Sequence, residues 1–486
     1  MSNFKNALDK FWGISKRGSN FATEIIAGLT TFLTMAYIIT VNPFILSGEG
    51  IPGAGGGLNM YESLYIATIL GAALATLLMA FYARAPYAQA PGMGLNAFLT
   101  FTLTLTLGLS YGVGLNIIFI GGLVCVALSI TKLREKLLNS VPEAIRAAIP
   151  VGIGLFIAFV GMQSAGLVIG GATLVELANF TSANSLPAVV CLIGFVTIAI
   201  LSKLNVKGAI LIGIIFATLI GIPMGVTTWN PNNVGWLPAF DKLFSGDVTV
   251  SGAAAFWKGW GDFGALFTSF SNVIGVLVII LSLAMIDLFD TFGTLLGTAK
   301  TANLINEDGK IERFSQTLMA DSVATVFGAM IGTSNVTTYV ESASGISVGG
   351  RTGLTALTVS LFFLLALFLA PLFSSIPGAA AASALIYVGV LMMANITDID
   401  FSDPSVAAPA FLTFIGMPLA YSITDGIGLG ILSYVVIKFF IWLVNIIKYA
   451  SNKDNNEKPA WEIHPVTLVI AALFVLYFVL PINLTV

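Results

Sequence analysis

Apolar residues run almost unbroken along this chain in stretches about as long as a membrane-crossing helix requires, about 20 residues each. Short polar or Gly/Pro-rich breaks separate them. The pattern predicts spans at 22–46, 62–82, 90–107, 114–131, 143–164, 186–202, 208–225, 272–298, 314–332, 338–348, 353–374, 379–396, 405–421 and 425–447, with a further apolar run at 464–484. The runs are continuous rather than alternating, which excludes a membrane β-barrel. Two of the fourteen are defective as helices. The third carries Pro91, Gly92, Gly94 and Asn96; the tenth is short, rich in Gly, Ser and Thr, and holds Glu341.

Composition sharpens this reading. Of 486 residues, 57% are hydrophobic and 9% charged, with a mean hydropathy of +0.95. A soluble domain carries about 25% charged residues, so the chain is read as an all-α polytopic protein of the lipid bilayer. The polar stretches are the N-terminal tail, 226–265, 300–313 and 451–462, all too short for a soluble catalytic domain. The net charge of −3 gives no reason to expect nucleic acid. Cys125 and Cys191 lie inside apolar runs and read as buried small hydrophobes. The start of the chain lacks the pattern of a cleaved signal.

Basic residues mark the cytoplasmic side. With the N-terminus inside, all fall there except Lys242 and Lys258 in the long 226–265 loop and Lys438 within the fourteenth span. The fit requires both defective segments to cross.

The two halves of the chain also rhyme. The segment SVPEAIRAAIPVGIG has its echo in SIPGAAAASALIYVG, and the defective spans stand third and tenth, seven apart. An odd number of spans per repeat inverts its topology. The predicted fold is therefore fourteen spans in two inverted seven-span repeats, spans 3 and 10 broken, plus an extra C-terminal apolar helix. Interrupted spans at matching places of inverted repeats mark a transporter's midplane site.

Carboxyl groups at membrane depth are costly and mark function. Asp287 and Asp290 lie one helical turn apart in span 8, and Glu341 sits in span 10. No Lys or Arg stands at mid-depth beside them. Burial without a cation favours the protonated acid, which suits proton coupling. The alternative is that these acids only tie helices together, and Asp321 in span 9 reads that way. Glu24 and Glu143 read as interfacial. In span 3, Gly92 and Gly94 admit close backbone approach, and Asn96 both donates and accepts. Helix N-termini attract anions, but here acids face them, so the expected ligand is neutral and rich in N–H donors. Tyr339, Phe98 and Phe292 could stack on a flat ring or simply pack. His464, the single histidine, reads as interfacial. One His leaves no zinc set or Ser–His pair.

The segments APGMGLNAFLTF, IDLFDTFGTLLG and TSNVTTYVESASGI, in this order and spacing, resemble the AzgA-like purine permeases. These are a branch of the nucleobase–ascorbate (nucleobase–cation symporter-2) transporters. The opening EIIAGLTTFLTMAYIITVNPFIL is similar too, and the resemblance runs from about residue 10 to 447. It implies a core domain of spans 1–4 (21–131) and 8–11 (266–375) and a gate domain of spans 5–7 (132–225) and 12–14 (376–447). The cytoplasmic tail 1–20, the extracytoplasmic loop 226–265 and the segment 448–486 lie outside them. Extended segments of spans 3 and 10 meet at the midplane. It further implies a homodimer in the plasma membrane that carries adenine, guanine or hypoxanthine inward with protons and is not an enzyme. Asp290 matches the family's acid in span 8. Glu341 matches the span-10 acid that binds the base in uracil permease, with Tyr339 and Val340 in the neighbouring extended segment. Thr294 stands where uracil permease has a histidine, which makes Asp287 a candidate replacement. The Asn-x-Gly of the ascorbate and xanthine branches is missing after Glu341.

The candidate binding residues are Glu341, Asp290, Tyr339, Val340, Ser342, Gly94, Asn96 and Ala97. Those for proton coupling are Asp290, Asp287 and Glu341, with the proton as coupling ion and no other cofactor or metal. Guanine and hypoxanthine share an N1–H that adenine lacks, so the acids lean towards them. Rival readings are an anion transporter of the same architecture, a cation channel, and a membrane aspartyl-type enzyme. An acidic site disfavours the first, interrupted inverted repeats the second, and two acids on one helix the third.

Overall fold

The computed structural model describes residues 2–49, 51, 54–131, 140–171, 174–227, 237–299, 302, 304, 311–451 and 460–481. Lys132, Arg134, Lys136, Lys300, Lys310, Lys453 and Lys458, the side chain of Phe292, and parts of the 226–265, 300–313 and 448–486 segments lie outside the described residues.

Helix α1 (Ser2–Trp12) precedes α2 (Phe21–Ser47), α3 (Tyr61–Ala83), strand β1 (Gln89–Pro91), α4 (Met93–Thr106), α5 (Tyr111–Ile130) and α6 (Glu143–Ser164). A hairpin of β2 (Val168–Gly171) and β3 (Leu174–Leu177) leads to α7 (Leu186–Lys203), α8 (Ala209–Gly221), α9 (Gly252–Phe263), α10 (Phe270–Ala299) and α11 (Phe314–Met330). Strand β4 (Val336–Thr338) and α12 (Ser342–Val348) follow, then α13 (Gly353–Phe373), α14 (Gly378–Asp398), α15 (Pro404–Ala420), α16 (Ile423–Ser451) and α17 (Pro465–Val479). Among the described residues, nine helices are long and apolar enough to cross a membrane, and α4, α8, α15 and α17 are shorter apolar helices. The chain is a mostly helical, multi-pass membrane protein.

Local chemistry sets the element ends. Asn20 caps α2 by accepting from the Thr23 backbone N–H at 3.0 Å, and Ser110 caps α5 through Val113. Glu24 is buried rather than interfacial. Its carboxyl group accepts from the backbone N–H groups of Arg351, Thr352 and Thr355 and from the Thr355 hydroxyl. It thus serves the open N-terminus of α13 from another helix. His464 caps α17 through Val466.

Inside α2 the chain breaks at Ala36–Tyr37. Pro43 lacks an N–H, and its ring crowds the carbonyl of Ile39 one turn earlier. The turn before it tightens to three-residue hydrogen bonds, Ile39 to Ala36 and Thr40 to Tyr37.

Two packing groups are evident. Helix α6 packs on α14 and α15, α15 on α16, and α7 on α8 and α14. Separately, α2 packs on α12 and α13, α3 on α13 and α11, and α5 on α9 and α11.

Several elements depart from expectation. The tail 1–20 forms α1, because Phe4, Leu8, Phe11 and Trp12 recur at helical spacing. Trp12 is buried, and its indole N–H donates to the Ala80 carbonyl at 2.7 Å. The 226–265 loop holds α9, capped by Ser251. The connection between α6 and α7 is the exposed β2–β3 hairpin, which an all-α reading does not contain.

Candidate functional site

Spans 3 and 10 meet through their extended segments. Strand β1 pairs antiparallel with β4, Gln89 opposite Thr338, Ala90 opposite Thr337 and Pro91 opposite Val336. Every residue of both strands is buried. Helix α4 starts just after β1, and α12 shortly after β4, so their N-termini lie at opposite ends of the ladder. Gly92 extends the contact with an N–H to the Asn335 carbonyl. A Cβ there would come within 2.8 Å of Thr337 Cγ2 and 2.9 Å of Asn335 Nδ2, so glycine is required.

The ladder rests on Asp321. This fully buried carboxyl group accepts from Gln89 Nε2, Thr337 Oγ1, Thr338 N and Thr338 Oγ1 through Oδ1, and from Thr291 Oγ1 through Oδ2. It ties β1, β4 and α10 together, in keeping with the structural reading.

Glu341 stands at the N-cap of α12. The Tyr37 hydroxyl, from the break in α2, donates to its Oε1 at 2.7 Å. Glu341 also lines an open cavity of about 350 Å³ with Thr34, Ser344, Ser202, Asn205, Lys207, Tyr387 and Leu391. Ligand pockets commonly start near this volume. One wall belongs to α2 and α12, the other to α14 and the α7–α8 turn. Asp290 is partly buried and within Coulombic reach of Glu341 and Asp321.

The two acids of α10 have different neighbours. Asp287 is buried beside Thr325 and Asn335, at the far end of β4 from Glu341. The ladder lies between the two.

The remaining predicted residues divide similarly. Tyr339 is buried. Its N–H donates to the Ala88 carbonyl at 3.0 Å and its hydroxyl to the Pro91 carbonyl at 2.5 Å, locking it across β1. Ser342 Oγ accepts from the Ala88 N–H. Val340 is 56% exposed. Asn96 belongs to a buried amide–hydroxyl network: it donates to Asn42 Oδ1 and accepts from Ser334 Oγ, while Asn42 donates to Thr68 and Thr333. Ala97 and Phe98 are core. Gly94 faces Ile153 and Ile286, where a Cβ would sit 3.1 and 3.6 Å from their methyl carbons. Thr294 is buried, and its carbonyl accepts from Thr298.

Tyr37, Gln89 and the α7–α8 turn were not read from the sequence. Tyr37 did carry a signal: the single tyrosine in its apolar run, six residues before an internal proline.

A model of the permease family matches residues 22–450. The chain belongs to that family, the nucleobase–ascorbate transporters. It is 38% identical to the adenine permease AdeP of Escherichia coli, over 89% of this chain and 90% of that one. It is 37% identical to the guanine/hypoxanthine permease PbuO of Bacillus subtilis, over 95% and 98% respectively. Among solved structures, the transmembrane domain of the cyanobacterial bicarbonate transporter BicA aligns with a TM-score of 0.58 at 16% identity, covering 84% of this chain and 97% of that one. That likeness is one of fold.

Proposed function

We propose that this chain is a proton-coupled purine nucleobase permease that works by alternating access. One observation carries the reading: Glu341, on a half-helix that meets a second half-helix through the β1–β4 ladder, opens onto a cavity, and Asp290 lies within Coulombic reach of Glu341. The adenine and guanine/hypoxanthine permeases to which the chain is similar support the substrate class.

A purine presents N–H donors on two edges. Glu341 accepts the N–H of the six-membered ring and Asp290 the one on the imidazole ring. In a site of low dielectric each unpaired polar group is costly, so the wrong base is rejected. A proton on one acid lowers the cost of moving the loaded site, and Asp287 is the further candidate for that proton's route. An anion would meet two carboxyl groups here, which argues against the anion reading despite the shared fold.

The finer architecture belongs to the same proposal. The fourteen spans form two inverted repeats, with the ladder strands at matching places. The α2–α5 and α10–α13 helices form the core; α6–α8 and α14–α16 form the gate. Two copies assemble as a homodimer in the plasma membrane, with the N-terminus inside. The cavity at Glu341 then opens to the cytoplasm, beside Lys203 and Lys207.

The test is uptake of labelled hypoxanthine and adenine, assayed separately in cells without purine permeases, with and without a protonophore. Uptake abolished by the protonophore is the expected result. Glu341→Gln should lose uptake while the protein still reaches the membrane; unchanged affinity in that variant would refute the role of Glu341.

A further inference from the structure

We propose that Tyr37 is a positioning residue that sets which purine the site accepts: by holding one oxygen of Glu341, it leaves the carboxyl group matched to a base with a single N–H on that edge. This rests on the purine reading above.

Tyr37 is 1% exposed, so its side chain is packed inside the fold. It stands at the break in α2, six residues before Pro43. A phenol keeps its proton at neutral pH and therefore donates to a carboxyl oxygen. The 2.7 Å bond to Oε1 has the ordinary length of a hydroxyl–oxygen hydrogen bond. It orients the Glu341 carboxyl group and takes one of the two lone pairs of Oε1. Tyr37 does not line the cavity, so it acts through Glu341.

Hypoxanthine and guanine both carry a 6-oxo group and an N1–H. Guanine adds a 2-amino group beside N1. Two adjacent N–H groups match the two oxygens of one free carboxylate, as in bidentate pairing. With one lone pair of Oε1 taken by Tyr37, Glu341 serves N1–H through Oε2, and guanine's amino group must share Oε1 with Tyr37. A shared, already oriented acceptor gives guanine the weaker pairing. Tyr37 therefore biases the site towards hypoxanthine.

The experiment measures apparent affinity and maximal uptake for hypoxanthine and for guanine in the wild type, Tyr37→Phe and Glu341→Gln. Tyr37→Leu, likewise without a donor, is read alongside. Removing the hydroxyl should raise the guanine-to-hypoxanthine affinity ratio about tenfold, the worth of one hydrogen bond to a charged group. Maximal uptake of the two bases should change by a common factor. An unchanged ratio, or equal loss of affinity for both bases, overturns the assignment. If the wild type carries neither base, the purine reading fails instead. If it carries both, Glu341→Gln abolishes uptake and the Tyr37 ratio stays fixed, only the Tyr37 assignment fails.

Discussion

Asp321 and Glu341 are both acids in apolar surroundings, yet their surroundings give them opposite tasks. Asp321 accepts from five donors drawn from three elements, so its oxygens are saturated. Among the described residues Glu341 has one side-chain donor, Tyr37, and it faces open space. Asp321→Asn should therefore act on stability. An amide puts an N–H against groups that are themselves donors, at a cost of about 3 kcal/mol. The expected outcome is a clearly lower melting midpoint in detergent, with Glu341→Gln melting close to the wild type. Equal melting of both variants would contradict this division. Sequence spacing put Asp287 and Asp290 on one helix face, but it could not say that β4 would run between one of them and Glu341.

At the scale of elements, α17 settles how the last apolar run is placed. Glu462 pairs with Lys438 at 2.8 Å, Gly428 lies against Phe474, and the Tyr477 hydroxyl bonds Asp425. Rising residue numbers on α17 thus meet falling numbers on α16, so the two helices are antiparallel. At 1.5 Å per residue, α17 rises about 22 Å, most of a hydrocarbon core of about 30 Å. It starts level with Lys438 and Asp403, which line one cavity, and ends beside the opposite end of α16. A cysteine at Leu480 should react with an impermeant maleimide on intact cells. One at Asp400 should react only after permeabilisation. Labelling of both sites from the same side would show that α17 does not cross.

At the scale of the whole molecule, the Glu341 cavity has a counterpart in a packed seam where α4, α6 and α15 meet. Away from the Glu341 cavity, Tyr421 packs edge-on against Phe101 and Phe156 at 6.0 and 5.3 Å, and its hydroxyl donates to Gln163. Thr106 Oγ1 reaches the Tyr421 carbonyl at 3.3 Å. These contacts join α4 to α6 and α15, that is, the proposed core to the proposed gate. If the two move apart during transport, a cross-link here should trap one state. With cysteines at Thr106 and Tyr421, an oxidant should stop uptake and a reductant restore it. Disulfide geometry tolerates little movement, so continued uptake by fully cross-linked protein would exclude motion at this seam. Cys125 and Cys191 are buried and provide a quiet background.

The chain's own pattern determined the membrane class, the positions of the apolar runs, the two interrupted segments and the acids within them. Each is a local property: an apolar run needs only its own length, and a Gly/Pro break only its own residues. The polar 226–265 stretch hid α9, because a helix lying outside the apolar runs leaves a weak pattern. Tertiary structure alone decided the pairing of β1 with β4, which joins residues nearly 250 positions apart. It likewise placed Tyr37 on Glu341 and Glu24 on α13, and set β4 between Asp287 and Glu341. A hydrogen bond depends on where two side chains arrive in space, and only the packed helices set that.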